Sequence, residues 1–242
     1  GGASTFGMGI VLNAGDGKAT IAGSIFGGNT SVTSTISGTG NLRITHLSNG
    51  SNAWKFSGGW VKNSYDGNTE ILNTAADRAV TLTYDIGGAS VISGQTLTPW
   101  GKGNVTIGGG GTATTVTFSN LNSNTVTGGV SLAGDITLNG TNAATTLNIF
   151  TGATVNVNLI GKVSAETSGT GTATIVSGDS LKMLGGLGGA GTLAVNTRNN
   201  AGALTLGGDM SGFSGTLNMT GANLYLNADT ALTGTLNASS AR

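Results

Sequence analysis

Short runs of β-favouring residues, each closed within a few positions by Gly, Asn, Asp or Ser, repeat from one end of the chain to the other. The stretch from Gly212 to Asn227 shows the unit: Phe213-Ser214-Gly215-Thr216-Leu217-Asn218-Met219-Thr220, then Gly221-Ala222-Asn223-Leu224-Tyr225-Leu226. Short runs of this kind between turn formers read as strands. They are expected at Val80–Tyr84, Asn104–Ile107, Thr115–Phe118, Ile136–Leu138, Thr154–Leu159, Thr174–Val176, Leu193–Val195, Leu204–Leu206, Thr216–Met219 and Leu224–Leu226, among others. Gly and β-branched residues interrupt every window, so no amphipathic stripe of helical period persists. The 45 glycines permit sharp corners, and the single proline, Pro99, fits a chain that needs its backbone N–H groups for ladders.

The strand centres Val116, Ile136, Val155, Ile175, Leu193, Leu217 and Leu236 follow one another at steps of 20, 19, 20, 18, 24 and 19. Leu184, Leu204 and Leu224 keep the same rhythm, and Gly-Thr-Leu recurs at 191–193, 215–217 and 234–236. A period near 20 with two or three short strands per period is the mark of a solenoid with β-strand faces. Each coil would lie about 4.8 Å above the last, and about twelve coils would make a rod of roughly 55–60 Å. We therefore expect one domain over residues 1–242, with a loop excursion at 46–68, where the rhythm is least regular.

Gly189-Ala190-Gly191-Thr192-Leu193 is followed by Leu204-Thr205-Leu206-Gly207-Gly208 and then by Phe213-Ser214-Gly215-Thr216-Leu217. A looser copy runs through Gly38-Thr39-Gly40-Asn41-Leu42, Trp54-Lys55-Phe56-Ser57-Gly58 and Tyr65-Asp66-Gly67-Asn68-Thr69-Glu70-Ile71. These two copies give the chain a resemblance to a known family, the proteins with autotransporter-associated β-strand repeats. It implies an all-β, single-stranded right-handed parallel β-helix (a β-solenoid), exported and displayed at, or released from, a bacterial cell surface. With the period read above, such a helix has about 20 residues per coil. Members of that family are mostly adhesive or structural. The end of this sequence, Ala238-Ser239-Ser240-Ala241-Arg242, does not read as a translocator barrel, so the expectation is a segment cleaved from a larger precursor or one that assembles on its own.

Composition limits the partners. Charged residues are 8%, against about 25% in ordinary soluble domains, and ten basic residues balance ten acidic ones. No field draws such a chain to nucleic acid or to an anionic membrane. The same lack of net charge does little to oppose self-association. No apolar run approaches the length of a membrane-spanning helix, and the strands are too short for a transmembrane barrel, so no membrane-spanning element is expected. With aromatics at 5%, the core should be narrow and aliphatic.

Little remains for chemistry. Of the ten acids, only Asp66 with Glu70 and Asp77 with Asp85 are near neighbours, and Asp135 and Asp229 sit in turn contexts that suit a corner. A polysaccharide-cleaving site would need clustered carboxylates. His46 is the only histidine, and there is no cysteine, so neither a metal site nor a nucleophile triad can be built from the pattern. Gly186-Leu187-Gly188-Gly189-Ala190-Gly191 spells a dinucleotide-binding pattern, but no helix follows to cap a phosphate. The expectation is a non-enzymatic protein without catalytic residues, cofactor or metal. Trp54, Phe56, Trp60, Tyr65, Tyr84 and Trp100 form a mild aromatic cluster with two readings, a protruding loop or bulky coil plugging the core, or a platform that stacks its rings on sugars. On the second reading Trp54, Trp60, Tyr65 and Trp100 are candidate glycan or partner contacts. Thr-x-Thr triplets at 81–83, 96–98, 112–114, 115–117, 125–127 and 172–174 step by 15, 16, 3, 10 and 47, which speaks against the in-register array that ice binding requires.

Thr5-Phe6-Gly7-Met8-Gly9-Ile10-Val11-Leu12 and Leu232-Thr233-Gly234-Thr235-Leu236 both read as further coils without polar caps. Open sheet ends invite pairing. The expected function is therefore an extracellular structural protein stacking head to tail into fibres or a matrix through Phe6, Ile10, Leu12, Leu232 and Leu236. Its partner would be itself. Surface glycans or matrix components are the partners on the alternative reading of an adhesin or carbohydrate-binding segment. A polysaccharide-active enzyme ranks last.

Overall fold

The computed structural model describes residues 4–13, 18–23, 30–46, 53–72, 79–85, 92–121, 126–127, 129–151, 155–178, 180–197, 202–227 and 231–239. Within them the chain is all-β apart from one 3-10 turn, Gly59–Lys62. The strands pair in parallel in three long sheets and two short ones.

The largest sheet has ten strands in chain order: Ser4–Phe6, Thr30–Val32, Ala53–Ser57, Val80–Asp85, Thr114–Leu121, Ala144–Thr151, Thr172–Ser177, Thr192–Thr197, Thr216–Thr220 and Thr235–Ser239. A seven-stranded sheet runs from Lys18–Gly23 through Asn41–His46, Thr69–Ile71, Val105–Gly108, Ile136–Thr141 and Val163–Ser168 to Leu187–Gly188. A six-stranded sheet runs from Thr96–Leu97 through Val130–Leu132, Asn156–Leu159, Ser180–Met183 and Gly202–Gly207 to Ala222–Asn227. From Val105 to Gly207 the chain visits the seven-, ten- and six-stranded sheets in turn before returning to the first. That circuit is a β-solenoid.

Alternation builds the core. In Val80–Asp85 and Thr114–Leu121 the even positions are buried and the odd ones half-buried over most of the strand. Parallel pairing then sets like on like. Leu82, Val116, Leu147, Ile175, Val195 and Met219 are register partners in succession, and each is 2% exposed or less. On the six-stranded sheet Leu132, Leu159, Met183 and Leu206 do the same, all at 0%. Continuous burial of stacked aliphatic side chains is what holds a repeat fold whose coils touch only their neighbours.

The coil is longer and less even than the sequence period suggests. In residue number, the register partners Leu82, Val116, Leu147 and Ile175 step by 34, 31 and 28. Val195, Met219 and Ala238 then follow at steps of 20, 24 and 19. Ten levels stacked at ~4.8 Å span about 43 Å from first to last, shorter than the rod expected from an even period. Leu193, Leu217 and Leu236 are true register partners, as are Leu204 and Leu224. Val116 and Ile136, by contrast, stand on different sheets. Their spacing counts across faces of the stack and not from one coil to the next.

The wide coils are filled by rings. Phe56, Tyr84 and Phe118 stack in register with centroids 5.3 and 5.0 Å apart. Trp60 meets Tyr84 and Phe118 edge-on at 5.4 and 5.6 Å, and Trp100 meets Phe118 at 5.8 Å. Trp60 Nε1 donates to the Asp85 carbonyl at 3.0 Å, and the Tyr65 hydroxyl bonds Thr69 Oγ1, whereas the buried Trp54 Nε1 has no hydrogen-bond partner among the described residues. Asn63, itself buried, accepts from the Ile36 amide and donates to the Pro99 carbonyl, each at 2.9 Å. Over 53–68 the expected excursion is instead part of the stack, with the strand Ala53–Ser57 paired on both sides and Trp60 and Tyr65 turned inward. Residues 47–52 lie outside the described residues.

One corner is a ladder. Gly40-Asn41, Gly67-Asn68, Gly103-Asn104, Gly134-Asp135 and Gly161-Lys162 each lead into a strand of the seven-stranded sheet. Asn41 Oδ1 accepts the Asn68 amide at 2.8 Å, and Asn68 Oδ1 accepts that of Asn104 at 2.9 Å. Asn104 Oδ1 takes the Asp135 amide at 3.1 Å, and Asp135 Oδ1 takes that of Lys162 at 2.8 Å. The glycines before them allow close passage. A Cβ on Gly67 would lie 2.3 Å from the Gly40 carbonyl oxygen, and one on Gly161 would lie 2.1 Å from that of Gly134.

Candidate functional site

Five of the described acids, Asp66, Glu70, Asp85, Asp135 and Asp209, are engaged by neighbouring groups, and the sixth, Glu166, is exposed. Asp66 pairs with Lys102 at 2.7 Å, and Asp85 pairs with Lys55 at 2.5 Å. Glu70 Oε2 accepts from Arg43 Nε at 3.0 Å and Nη2 at 2.8 Å, while Lys18 Nζ reaches Oε1. Asp66 and Glu70, neighbours in sequence, thus serve different cations. Asp135 holds its corner, and Asp209 Oδ1 accepts from the Ser211 amide and hydroxyl at 2.9 and 2.7 Å, which lowers its pKa. Among the described residues no group of three or more His, Cys, Asp and Glu is placed to hold a metal, and no helix is long and apolar enough to cross a membrane. His46 ends the strand Asn41–His46, and Asp16, Asp77, Asp179 and Asp229 lie outside the described residues.

Partial burial alone would raise the Glu70 carboxyl, but its bonds from Lys18 and Arg43 outweigh that and hold it below the usual value of 4.5. A carboxylate depressed in the folded state stabilises above the unfolded pKa, and its contribution is lost as pH falls through the folded pKa. Glu70→Gln should therefore lower the melting temperature at pH 7 and flatten its decline below about pH 4.5. Parallel thermal melts of both proteins from pH 7 to pH 3 check this, and equal slopes would show that the triad contributes nothing. The burial of Tyr65 and Tyr84 pushes both phenols upward.

The candidate aromatic contacts are not at the surface. Trp54 is 2% exposed, and Trp60, Tyr65 and Trp100 are at 0%, so none offers a ring face to a sugar. They are the core filling of the wide coils.

The residues expected at the sheet ends differ in exposure. At one end Ser4–Phe6, Ile10–Leu12 and Lys18–Gly23 each pair on one side only. Leu12 is buried there and Ile10 half-buried against the core, while Val11 is 66% exposed; for Phe6 only the strand position is described. At the other end Thr235–Ser239 and Ala222–Asn227 are edge strands. Leu226 sits in register above Leu206, which is at 0%, yet is itself 63% exposed. Leu236, above the fully buried Leu217, is 36% exposed, and Leu232 is half-buried against the core. Sequence reasoning missed Tyr225 and Leu226. The signal was available, because Leu224-Tyr225-Leu226 repeats Leu204-Thr205-Leu206 one level on.

Comparison of the chain with protein-family models, with curated proteins and with solved structures finds no match.

Proposed function

We propose that this chain is a non-enzymatic structural solenoid that stacks head to tail with copies of itself, as an element of an extracellular fibre or surface matrix. The observation that carries the reading is the exposure of inward-register leucines at one end. Leu226 and Leu236 continue columns whose other members are buried, so another coil is the surface that fits them. The opposite end offers coils of the same kind, with one-sided strands over Ser4–Phe6 and Ile10–Leu12. Contact between unlike ends is heterologous and propagates instead of closing. The near absence of charge supports it, since nothing in the chain's balance repels a copy. Location outside the cell rests on the family resemblance alone.

The test is assembly of the 242-residue polypeptide. Light scattering and negative-stain microscopy should show rods lengthening with concentration by increments of about 48 Å, ten levels for each added copy. The double variant Leu226→Lys/Leu236→Lys should remain single stacks with an unchanged melting temperature. Wild-type stacks of one length at every concentration would end the proposal.

A further inference from the structure

The threonine spacings that speak against an ordered array in sequence are spacings along the chain, and the stack sorts them differently. On the outer face of the ten-stranded sheet Thr81, Thr115, Thr146 and Thr174 are successive register partners. Two positions further along the same strands, Thr83 and Thr117 are partners and continue into Asn148. Two positions before, Ala144 pairs with Thr172, and Thr192, Thr216 and Thr235 are partners in turn. Coils of unequal length all return to the same column, because length varies in the connections and not at the sheet.

Three outward columns thus run across the strands from Val80–Asp85 to Thr235–Ser239. Ala, Asn, Ser and Val fill most of the positions that Thr does not, and from Val80–Asp85 onward no Asp, Glu, Lys, Arg or aromatic residue stands in the three columns; one strand earlier Lys55 is the register partner of Thr83, paired with Asp85. The buried residues between them, among them Leu82, Val116 and Leu147, anchor the face from behind. Rows repeat at ~4.8 Å and columns at ~6.6 Å, as strand geometry requires. Each threonine presents one methyl and one hydroxyl that both donates and accepts, on a side chain stiff at χ1.

The geometry points to a face that binds ice, by holding water in an arrangement continuous with the crystal lattice. The ligand must be periodic, because the site is periodic and has no convergent centre. It must be uncharged, because the columns hold no charge from Val80–Asp85 onward and the Lys55 that precedes them is neutralised by Asp85. A free sugar is poorly served without an exposed ring, and a protein partner lacks an aromatic or arginine anchor. Lateral packing by a second copy is disfavoured at the amides: Asn148 Nδ2 donates along its column to Thr117 Oγ1 at 3.2 Å, and Asn237 Nδ2 to Asn218 Oδ1 at 3.0 Å.

The experiment is thermal hysteresis and crystal shape in a nanolitre osmometer, with partition of the protein into a growing ice front. Wild type should facet the crystal, give a freezing gap that grows with concentration and enter the ice. Thr115→Lys and Thr146→Lys should each reduce the gap at least tenfold, whereas Thr137→Lys, on the outer face of the seven-stranded sheet, should leave it unchanged. Circular dichroism checks that each variant is folded, and the wild-type measurement stands without them. Round, unshaped crystals with protein left in the liquid would overturn the inference. So would loss of activity in Thr137→Lys alone, or capture of the wild type by cellulose or chitin powder and not by ice.

Discussion

Gly161→Ala should destabilise the stack by about 3 kcal/mol or more, the range reached when backbone must move to relieve a clash. The new Cβ would stand 2.1 Å from the Gly134 carbonyl oxygen. That oxygen belongs to the coil below and cannot swing away like a flexible side chain. A Cβ on Gly185 would in turn lie 2.2 Å from the Gly161 carbonyl carbon, so the coil above is packed as closely and the strain cannot be passed upward. The only relief is to separate two coils, which costs the ladder bonds on both sides, including Asp135 Oδ1 to the Lys162 amide. Gly212→Ala is the control, since a Cβ there meets only Lys162 Nζ at 4.0 Å. Urea unfolding of the two variants should place their midpoints far apart. Similar midpoints would mean that the corner glycines are not packed as described.

Phe118→Ala should cost about 3–5 kcal/mol, as for large aromatic truncations in cores. Phe118 stacks on Tyr84 and receives the edges of both Trp60 and Trp100. Its loss opens a void between two indoles that are pinned by their own Nε1 bonds, to the Asp85 and Ala133 carbonyls, and so cannot collapse into it. Phe118→Leu, which refills part of the volume, should cost less than half as much. Tryptophan emission should shift to the red in Phe118→Ala and not in Leu147→Ala, which empties an aliphatic level. A blue, unshifted emission in Phe118→Ala would contradict the ring layer.

The strands were legible because their chemistry is local. Thr-Leu-Asn-Met between Gly215 and Gly221 admits little else, and the Gly-Thr-Leu copies at 191, 215 and 234 do stand one above another. Coil length was not legible, because register is decided between strands and says nothing of how much chain joins them. The corner ladder illustrates the point. Gly-Asn or Gly-Asp leads to Leu42, Thr69, Val105 and Ile136, but at steps of 27, 36 and 31, which a search for a fixed period discards. The tryptophans kept more than one reading in the sequence for a related reason. The coil from Leu82 to Val116 encloses a wider section than the one from Leu217 to Leu236, and aliphatic side chains cannot span it, so the scarce rings gather where the coils are longest. Of the residues the sequence offers for the ends, Leu12 is buried and Leu232 half-buried, and the more exposed Leu226 stands out only when Leu206 is seen beneath it.

The taper from ring-filled to leucine-filled levels has a mechanical consequence. Backbone bonds between coils lie along the stack, so a pull on its two tips loads them end-on and in series, and the rod yields by shedding levels one at a time. Levels are not equally strong. The slender turns around Leu193, Leu217 and Leu236 would peel first, while the stretch clamped by Trp60, Tyr84, Phe118 and Trp100 would act as the stop that keeps a frayed filament from running to its other tip.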